Sequence, residues 1–435
     1  MPAEIIPIPG SPLRSSLGSV IRVGNQAHRR LQDLRAEGRL PGEALIVDAS
    51  VLSSQESFIG ALRDSGAEVI LDTKIAELSE AGTYKGKVRK TPWAIESRPL
   101  KNQDFTLGSH SKLIRDIAQT AVKLGVSGVL SPSRFLRSGL NDPKFLSDIE
   151  ATTYLREALD REGGNSIAID YSLILPRAVI SERRDVEEKL RPLRDLPIDN
   201  LFCRLAEFGY DAGPLVVART FHGIARIHDL GLPIVLDCVG GFVGLAAMAF
   251  GVVGGISQGI GEYQRFSTRH WADETQSSNA SSSFGRPTRI PIPGLATSLK
   301  PDEFQKIAAI HAGRRLIACG DRDCCPQGLA SMLKNHRAHI AKQQALEIEK
   351  LANVPDARRA MHFVNTTMQD AERKARDLAK LKTGDDTLDR KLARSNQHTE
   401  RMSRAYEILA GELKLAVRSP IRVKTSMNRI KSNGT

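Results

Sequence analysis

The sequence predicts an α/β fold: a (β/α)8 TIM-like barrel followed by a C-terminal helical appendix anchored by a zinc site. Three observations lead there. Eight short β-branched runs recur along the chain, and each ends in a polar residue. They are continuous rather than alternating, as strands of a parallel sheet covered on both faces must be. Most are followed by amphipathic helical patterns, and the set spans roughly 280 residues, the length of one barrel.

In order, the runs are 44–50, 68–74, 126–133, 166–172, 200–207, 233–240, 251–259 and 314–321. Helical patterns lie between them at 111–125, 146–163 and 213–231. No G-x-G-x-x-G opens the first strand–helix turn, so a dinucleotide site has no support. This divides the chain into an N-terminal extension (1–43), a barrel (44–318), a metal-binding segment (319–340) and a basic helical appendix (341–435). Two connections break the short-loop rule, 75–110 with Trp93 and the basic run Lys85 to Lys90, and 263–300 with a serine-rich stretch. Loops this long in a barrel are usually lids or substrate loops. In the appendix, Leu388, Leu392, Ser395, Thr399, Met402, Tyr406, Leu409 and Leu413 form a heptad seam. Packing against a helix at 355–382 is its commonest meaning, and a homodimer through the seam is the alternative.

Composition bounds the function. The chain has 41% hydrophobic and 26% charged residues, and no run approaches a membrane span. The N-terminus lacks a basic region leading into an apolar core, so a secretory signal is not expected. Five cysteines without such a signal point to reduced thiols in a cytoplasm. The net charge is +12, and Leu329–Thr435 holds 22 Lys+Arg against 12 Asp+Glu. The remaining residues hold 40 against 38. A localised basic region attracts polyanions, nucleic acid first among them in a cytoplasm; a solvated helical surface is the plainer reading.

In a barrel, function sits at the C-terminal ends of the strands. The residues there are Asp48, Asp72, Ser131, Asp170, Arg204 with Glu207, Asp237, Ser257 with Gln258, and Cys319. A carboxylate closing a buried strand must be solvated, paired or catalytic. Taken singly, each aspartate reads as a helix cap or a solvated loop residue. Four on one rim converge on one cleft, where at least one is expected to act as acid, base or nucleophile.

The stretch LIACGDRDCCPQG gathers Cys319, Cys324 and Cys325, with His336 and His339 following on one helix face. Zinc takes four Cys or His ligands in a tetrahedron. The expected ligands are Cys319, Cys324, Cys325 and His339, with His336 the substitute if the adjacent thiols cannot both reach. Four protein ligands close the site and make it structural. Free thiols beside unrelated histidines are the alternative. Cys203 and Cys238, inside apolar strands, read as small core residues.

This layout resembles the tRNA-guanine transglycosylase superfamily, including its DNA-acting branch. The resemblance rests on a barrel joined by zinc to a basic appendix and on three short matches. LDT at 71–73 is similar to the family's Asp-Ser motif and implies a general-base role for Asp72. GGFVGL at 240–245 resembles its Gly-Gly-x-x-Val-Gly loop, which implies base contacts at Gly240 and Gly241. GIG at 259–261 is similar to its Gly-Val-Gly. The family's C-x-C-x2-C is here C-x4-C-C, and Cys319 stands where its aspartate nucleophile would be, leaving that role to Asp321 or Asp237. The resemblance implies exchange of a guanine in tRNA or DNA for a deazapurine base, by attack of an aspartate at C1′ of the flipped nucleotide. Arg204, Glu207 and Gln258 join the glycines as candidate substrate contacts, and Asp48 and Asp170 complete the catalytic candidates. A barrel hydrolase or lyase on a small molecule, and a non-catalytic nucleic-acid binder, remain open.

Overall fold

The computed structural model describes residues 17–24, 27–37, 44–105, 108–272 and 288–416. Eight parallel strands close into one ring. They are β1 (Gly18–Arg22), β2 (Ala44–Asp48), β3 (Glu68–Asp72), β4 (Gly128–Leu130), β5 (Ala168–Pro176), β6 (Leu201–Ala206), β7 (Ile234–Asp237) and β8 (Gly255–Gly259). β1 pairs with β2 on one side and with β8 on the other, from Gly18↔Gly255 to Arg22↔Gly259. Alternate residues explain the continuous hydrophobicity. Val20, Ala44, Ile46, Ile70, Leu130, Phe202 and Val235 fill the ring's interior, while Leu45, Val47, Leu71, Leu173 and Leu236 belong to the core shared with the surrounding helices.

The barrel expectation holds, but its eighth strand was misplaced. The stretch 314–321 contributes no strand: His311–Ile317 is a helix, so Cys319 does not end a barrel strand. The missing strand is β1, inside what reads as an N-terminal extension, and the ring therefore occupies 18–259. The physical reason lies in the partners. Val20 and Ile21 are buried between two neighbouring strands, whereas Gly313 lies in the first turn of the helix His311–Ile317, where a Cβ would lie 2.4 Å from the Ile307 carbonyl oxygen of the preceding helix. β5 also runs past its expected end, because Tyr171–Pro176 pair with Leu201–Ala206.

Both long connections fold over the C-terminal face. Trp93 is 4% exposed and its Nε1 donates to the Thr73 carbonyl at 3.0 Å. The Gly82 amide donates to the Trp271 carbonyl at 3.0 Å, joining the two connections. The serine-rich stretch 274–287 lies outside the described residues. Beyond the ring, the helix Asp356–His362 continues through a π-turn (Phe363–Met368) into Gln369–Ala379, and Asp386–Ala416 returns against it. The heptad seam faces inward: Leu388, Leu392, Met402, Leu409 and Leu413 are buried, and Tyr406 lies 5.4 Å from the Phe363 ring. This is the expected helical hairpin, docked on the ring helix Pro214–Ala225. Among the described residues, no helix is long and apolar enough to cross a membrane.

Candidate active site and metal centre

The C-terminal ends of the strands bring Asp48, Asp72, Arg204 and Asp237 into one buried ion lattice, together with four residues the sequence did not single out, Arg22, Lys74, Glu77 and Tyr263. Arg22, at the end of β1, is the hub. Its Nε and Nη2 donate to both carboxylate oxygens of Asp237 at 2.7 and 2.6 Å, and its Nη1 donates to Asp72 at 2.6 Å. Arg204 on β6 spans the same two aspartates, at 2.8 Å to Asp237 and 3.2 Å to Asp72. Lys74 donates to Glu77 at 2.6 Å and stands 3.8 Å from Asp48. The Tyr263 hydroxyl donates to Asp48 at 3.1 Å. The signal for Arg22 and Lys74 was indirect: aspartates ending buried strands need counter-charges.

The environments separate the carboxyl groups. Burial pushes Asp72 upward, but Lys74, Arg22 and Arg204 outweigh it and hold the group well below the ordinary carboxylate range. Burial acts likewise on Asp237, and Arg22 with Arg204 again prevails. Asp48 goes the other way. Burial raises it, Lys74 and Arg22 only partly oppose that, and the charge of Asp72 adds to the rise. Asp72 and Asp237 are thus held as carboxylates, while Asp48 is the member closest to holding a proton.

Backbone strain marks the same place. Among the described residues, the non-glycine positions with positive φ are Lys74, Glu207, Cys238 and Tyr263, at +56°, +58°, +60° and +51°. Each follows a strand on the ring's C-terminal face. Left-handed backbone costs a non-glycine residue on the order of 1 kcal/mol and concentrates at working sites. An aromatic cap covers the lattice. Phe266 lies 5.3 Å from Trp271 and Phe135 lies 5.6 Å from it, and the Arg204 guanidinium stands 5.7 Å from the Phe266 ring. Asp48, Asp72 and Asp237 are accordingly 4%, 4% and 0% exposed.

Three expected catalytic or binding residues fall outside both the lattice and the cleft beside it. Asp170 faces the interior lower in the ring, because β5 continues to Pro176 and places Ile174, not Asp170, beside Arg204; its carboxylate accepts from Asn200 at 2.8 Å. Asp321 sits in the cysteine loop, where its Oδ1 accepts the amides of Asp323 and Cys324 at 2.9 and 3.1 Å and shapes the turn. Glu207 stands on the rim and holds the covering segment through Arg265, Ser267 and the Thr268 amide.

Beside the capped mouth, above β7 and β8, opens a cleft of about 660 Å³. Its floor includes Gly241, Gln258 and Tyr263, and its far wall is the helix His336–Ala352. Gly240 and Gly241 open the helix Gly241–Ala249 directly after β7. A Cβ on Gly240 would lie 2.2 Å from Gln258 Oε1, so that side chain would have to swing aside, and Gly241 has a φ of +61°, which favours glycine. Gln344 from the far wall donates to Gln258 at 3.2 Å.

That wall is tied down by Cys319, Cys324, Cys325 and His339, whose ligand atoms all lie within 4.8 Å of one another. The Cys324 and Cys325 sulfurs are 3.7 Å apart, and each lies 3.4 Å from His339 Nδ1. A tetrahedral ion with the usual metal–sulfur and metal–nitrogen bonds would set these edges at about 3.8 and about 3.6 Å. All four residues are buried, and the thiols are free of disulfides. Gln343 donates to Cys319 Sγ at 3.4 Å, the kind of outer contact that orients a thiolate ligand. The four residues therefore fit a metal ion. His336 stands outside this set and lines the cleft.

The closed parallel ring with its polar C-terminal mouth defines a TIM-barrel protein. No family model and no curated protein matches the chain. Among solved structures it is similar to KGPDC from Streptococcus mutans, at 10% identity and a TM-score of 0.32 over 56% of this chain and 88% of that one. It is also similar to a beta-mannanase from Bacteroides ovatus, at 10% identity and a TM-score of 0.36 over 60% and 84% of the two chains. A xylanase from Cellvibrio japonicus follows at 14% identity and a TM-score of 0.35, over 57% and 86%. These likenesses concern the fold alone.

Proposed function

We propose that the chain is a barrel enzyme that exchanges a guanine of tRNA or DNA for a deazapurine base. The supporting observation is a coincidence at one place: Asp237 ends β7, the Gly240–Gly241 turn follows it onto the cleft floor, and Gln258 lies alongside. A flipped base would lie over the glycine backbone with Gln258 at its edge. Asp237 would attack C1′, and the C1′–N bond would break with its electron pair leaving on guanine. The leaving base takes up a proton from Asp48, the group held closest to protonation. The incoming base then attacks C1′ through nitrogen, displaces the Asp237 carboxylate and returns a proton to Asp48, which restores the acid. The covering segment 263–272 must lift first, since Asp237 is sealed beneath it. Zinc is the metal the Cys3His set would take, in a structural role that fixes the cleft's far wall. Reduced thiols of this kind suit a cytoplasmic protein.

A specific observation favours a second reading, a nucleic-acid binder without catalysis: Asp72 and Asp237 are each committed to both arginines. The test is incorporation of labelled guanine into bulk tRNA and duplex DNA. Exchange by the wild type, lost in Asp237→Asn while polymer binding persists, is the expected result. Binding without exchange in the zinc-loaded wild type would decide for the second reading.

A further inference from the structure

The described C-terminal helices are close to electrically balanced. Residues 341–416 carry 15 Lys+Arg against 12 Asp+Glu. Several of those cations are already paired, Arg359 with Asp356 at 2.7 Å, Arg373 with Asp370 at 2.6 Å and Lys380 with Asp377 at 3.1 Å. Five more cations fall in 417–435, outside the described residues. A denser positive run lies on the barrel's working face. In the connection after β3, Lys85, Lys87, Arg89 and Lys90 occur within six residues, and no acid interrupts positions 81–95.

All four are exposed. Lys85, Lys87 and Lys90 have no carboxylate partner among the described residues. Arg89 is spoken for: its guanidinium lies 5.5 Å over the Tyr84 ring and donates to the Glu96 carbonyl at 2.6 Å. The loop is folded, not slack. Val88 donates to Lys85 at 3.1 Å, Lys90 to Lys87 at 2.9 Å and Thr91 to Val88 at 3.2 Å, all through the backbone. Buried Trp93 pins the far end to Thr73, next to Asp72. Gly82 binds the carbonyl of Trp271 in the segment covering the mouth. The cations thus ride on a rigid platform beside the covered lattice, and little chain ordering opposes a ligand.

We infer that Lys85, Lys87 and Lys90 grip the sugar-phosphate backbone of a nucleic acid and draw it across the mouth of the ring. This rests on the nucleic-acid reading proposed above, and it moves the principal phosphate contacts from the C-terminal helices to the loop after β3. Lysines act as point charges toward phosphate and carry no base preference, which suits a backbone grip separate from the base-binding cleft. A membrane surface fits less well. Interfacial binding uses exposed apolar anchors, whereas here Trp93 is buried and Tyr84 and Val88 are half-buried.

The experiment uses the full zinc-loaded chain and fluorescence anisotropy with a labelled tRNA transcript and a labelled single-stranded DNA, across a salt series. The variant Lys85→Glu/Lys87→Glu/Lys90→Glu is expected to bind at least tenfold more weakly to whichever polymer the wild type prefers. With about 0.7 counterions released per single-strand phosphate contact, its log–log salt slope should fall by about 2. An unchanged thermal midpoint shows that it folds, and Lys380→Glu/Lys382→Glu is expected to bind within twofold of wild type. The inference is overturned if the triple variant keeps wild-type affinity and slope, or if the wild type binds neither polymer. The same holds if the loop's charge matters only for vesicles containing phosphatidylserine. Wild-type binding that depends on the loop, without base exchange, would remove the proposed reaction and leave this grip standing.

Discussion

Replacing Arg22 with methionine isolates the hub of the lattice. The guanidinium is 1% exposed and makes three charge-assisted hydrogen bonds, two to Asp237 and one to Asp72, all at 2.6–2.7 Å. Methionine keeps most of the apolar stem but no donor, so Asp237 would retain only Arg204 at 2.8 Å. Asp72 would retain Arg204 at 3.2 Å and Lys74 at 3.9 Å. Removing one partner of a buried ion pair typically costs about 3–5 kcal/mol, because the remaining charge stays buried without its counter-ion. With a urea dependence of about 3 kcal/mol per molar, the unfolding midpoint should fall by more than about 1 M. Arg204→Met removes fewer and longer contacts, so its drop should be the smaller. The pH dependence follows from the same bonds. Asp72 and Asp237 titrate lower in the folded chain than in the unfolded one, so the unfolded state binds more protons across that interval. Their stabilisation is present above about pH 4 and is lost as pH falls further. Arg22→Met should flatten that acid limb. Chemical unfolding monitored by circular dichroism at pH 7 and in the acid range measures both effects. A midpoint shift below about 0.3 M at pH 7, with an unaltered acid limb, would refute the lattice as a source of stability.

Asp48→Asn should contrast with Asp237→Asn. The Asp48 group titrates above its unfolded value, so holding its charge opposes folding at neutral pH; the amide variant should unfold within about 1 kcal/mol of wild type, while Asp237→Asn loses about 3–5 kcal/mol. Equal losses in the two variants would show that their environments are not distinct. Elemental analysis should find one equivalent of zinc per chain, lost in Cys324→Ser, and chelation should lower the thermal midpoint; metal-free protein with an unchanged midpoint would remove the metal from the account. Gly82→Ala places a Cβ 2.0 Å from the His270 carbonyl oxygen, so the covering segment must shift and Trp271, now 7% exposed, should emit at longer wavelength. Unchanged emission at wild-type stability would mean that the two connections do not hold each other.

The ring was legible because its strands are short hydrophobic runs ending in charge, and ALIVD, EVILD and IVLD all became barrel strands. The first strand was missed because GSVIR holds only two apolar residues and ends in arginine, which reads as the start of a surface segment. In its place the run around Leu316 and Ile317 was read as a strand; four apolar positions cannot distinguish a buried helix from a strand by periodicity. The error spread to the site. Without β1 there was no Arg22, and so no way to see that Asp72 and Asp237 share one guanidinium. Asp170 misled for the opposite reason, since its strand continues beyond the expected polar end. The cysteine cluster was readable because spacing along a loop and one helix turn fixes which donors can meet, and His339 rather than His336 is the member that does.

Ring closure by β1 and β8 has a consequence during synthesis. Arg22 leaves the ribosome 215 residues ahead of Asp237, and the seam partner of β1 emerges later still. Until then the nascent sheet carries two open edges, and Arg22 lacks its principal counter-ion. At a translation rate of about 5–20 residues per second this interval lasts about 10–40 seconds, long enough for a partly built sheet to pair with other chains. Recovery of soluble protein from cells should therefore depend on chaperones that shield the growing chain, more than it depends on the equilibrium stability of the finished ring.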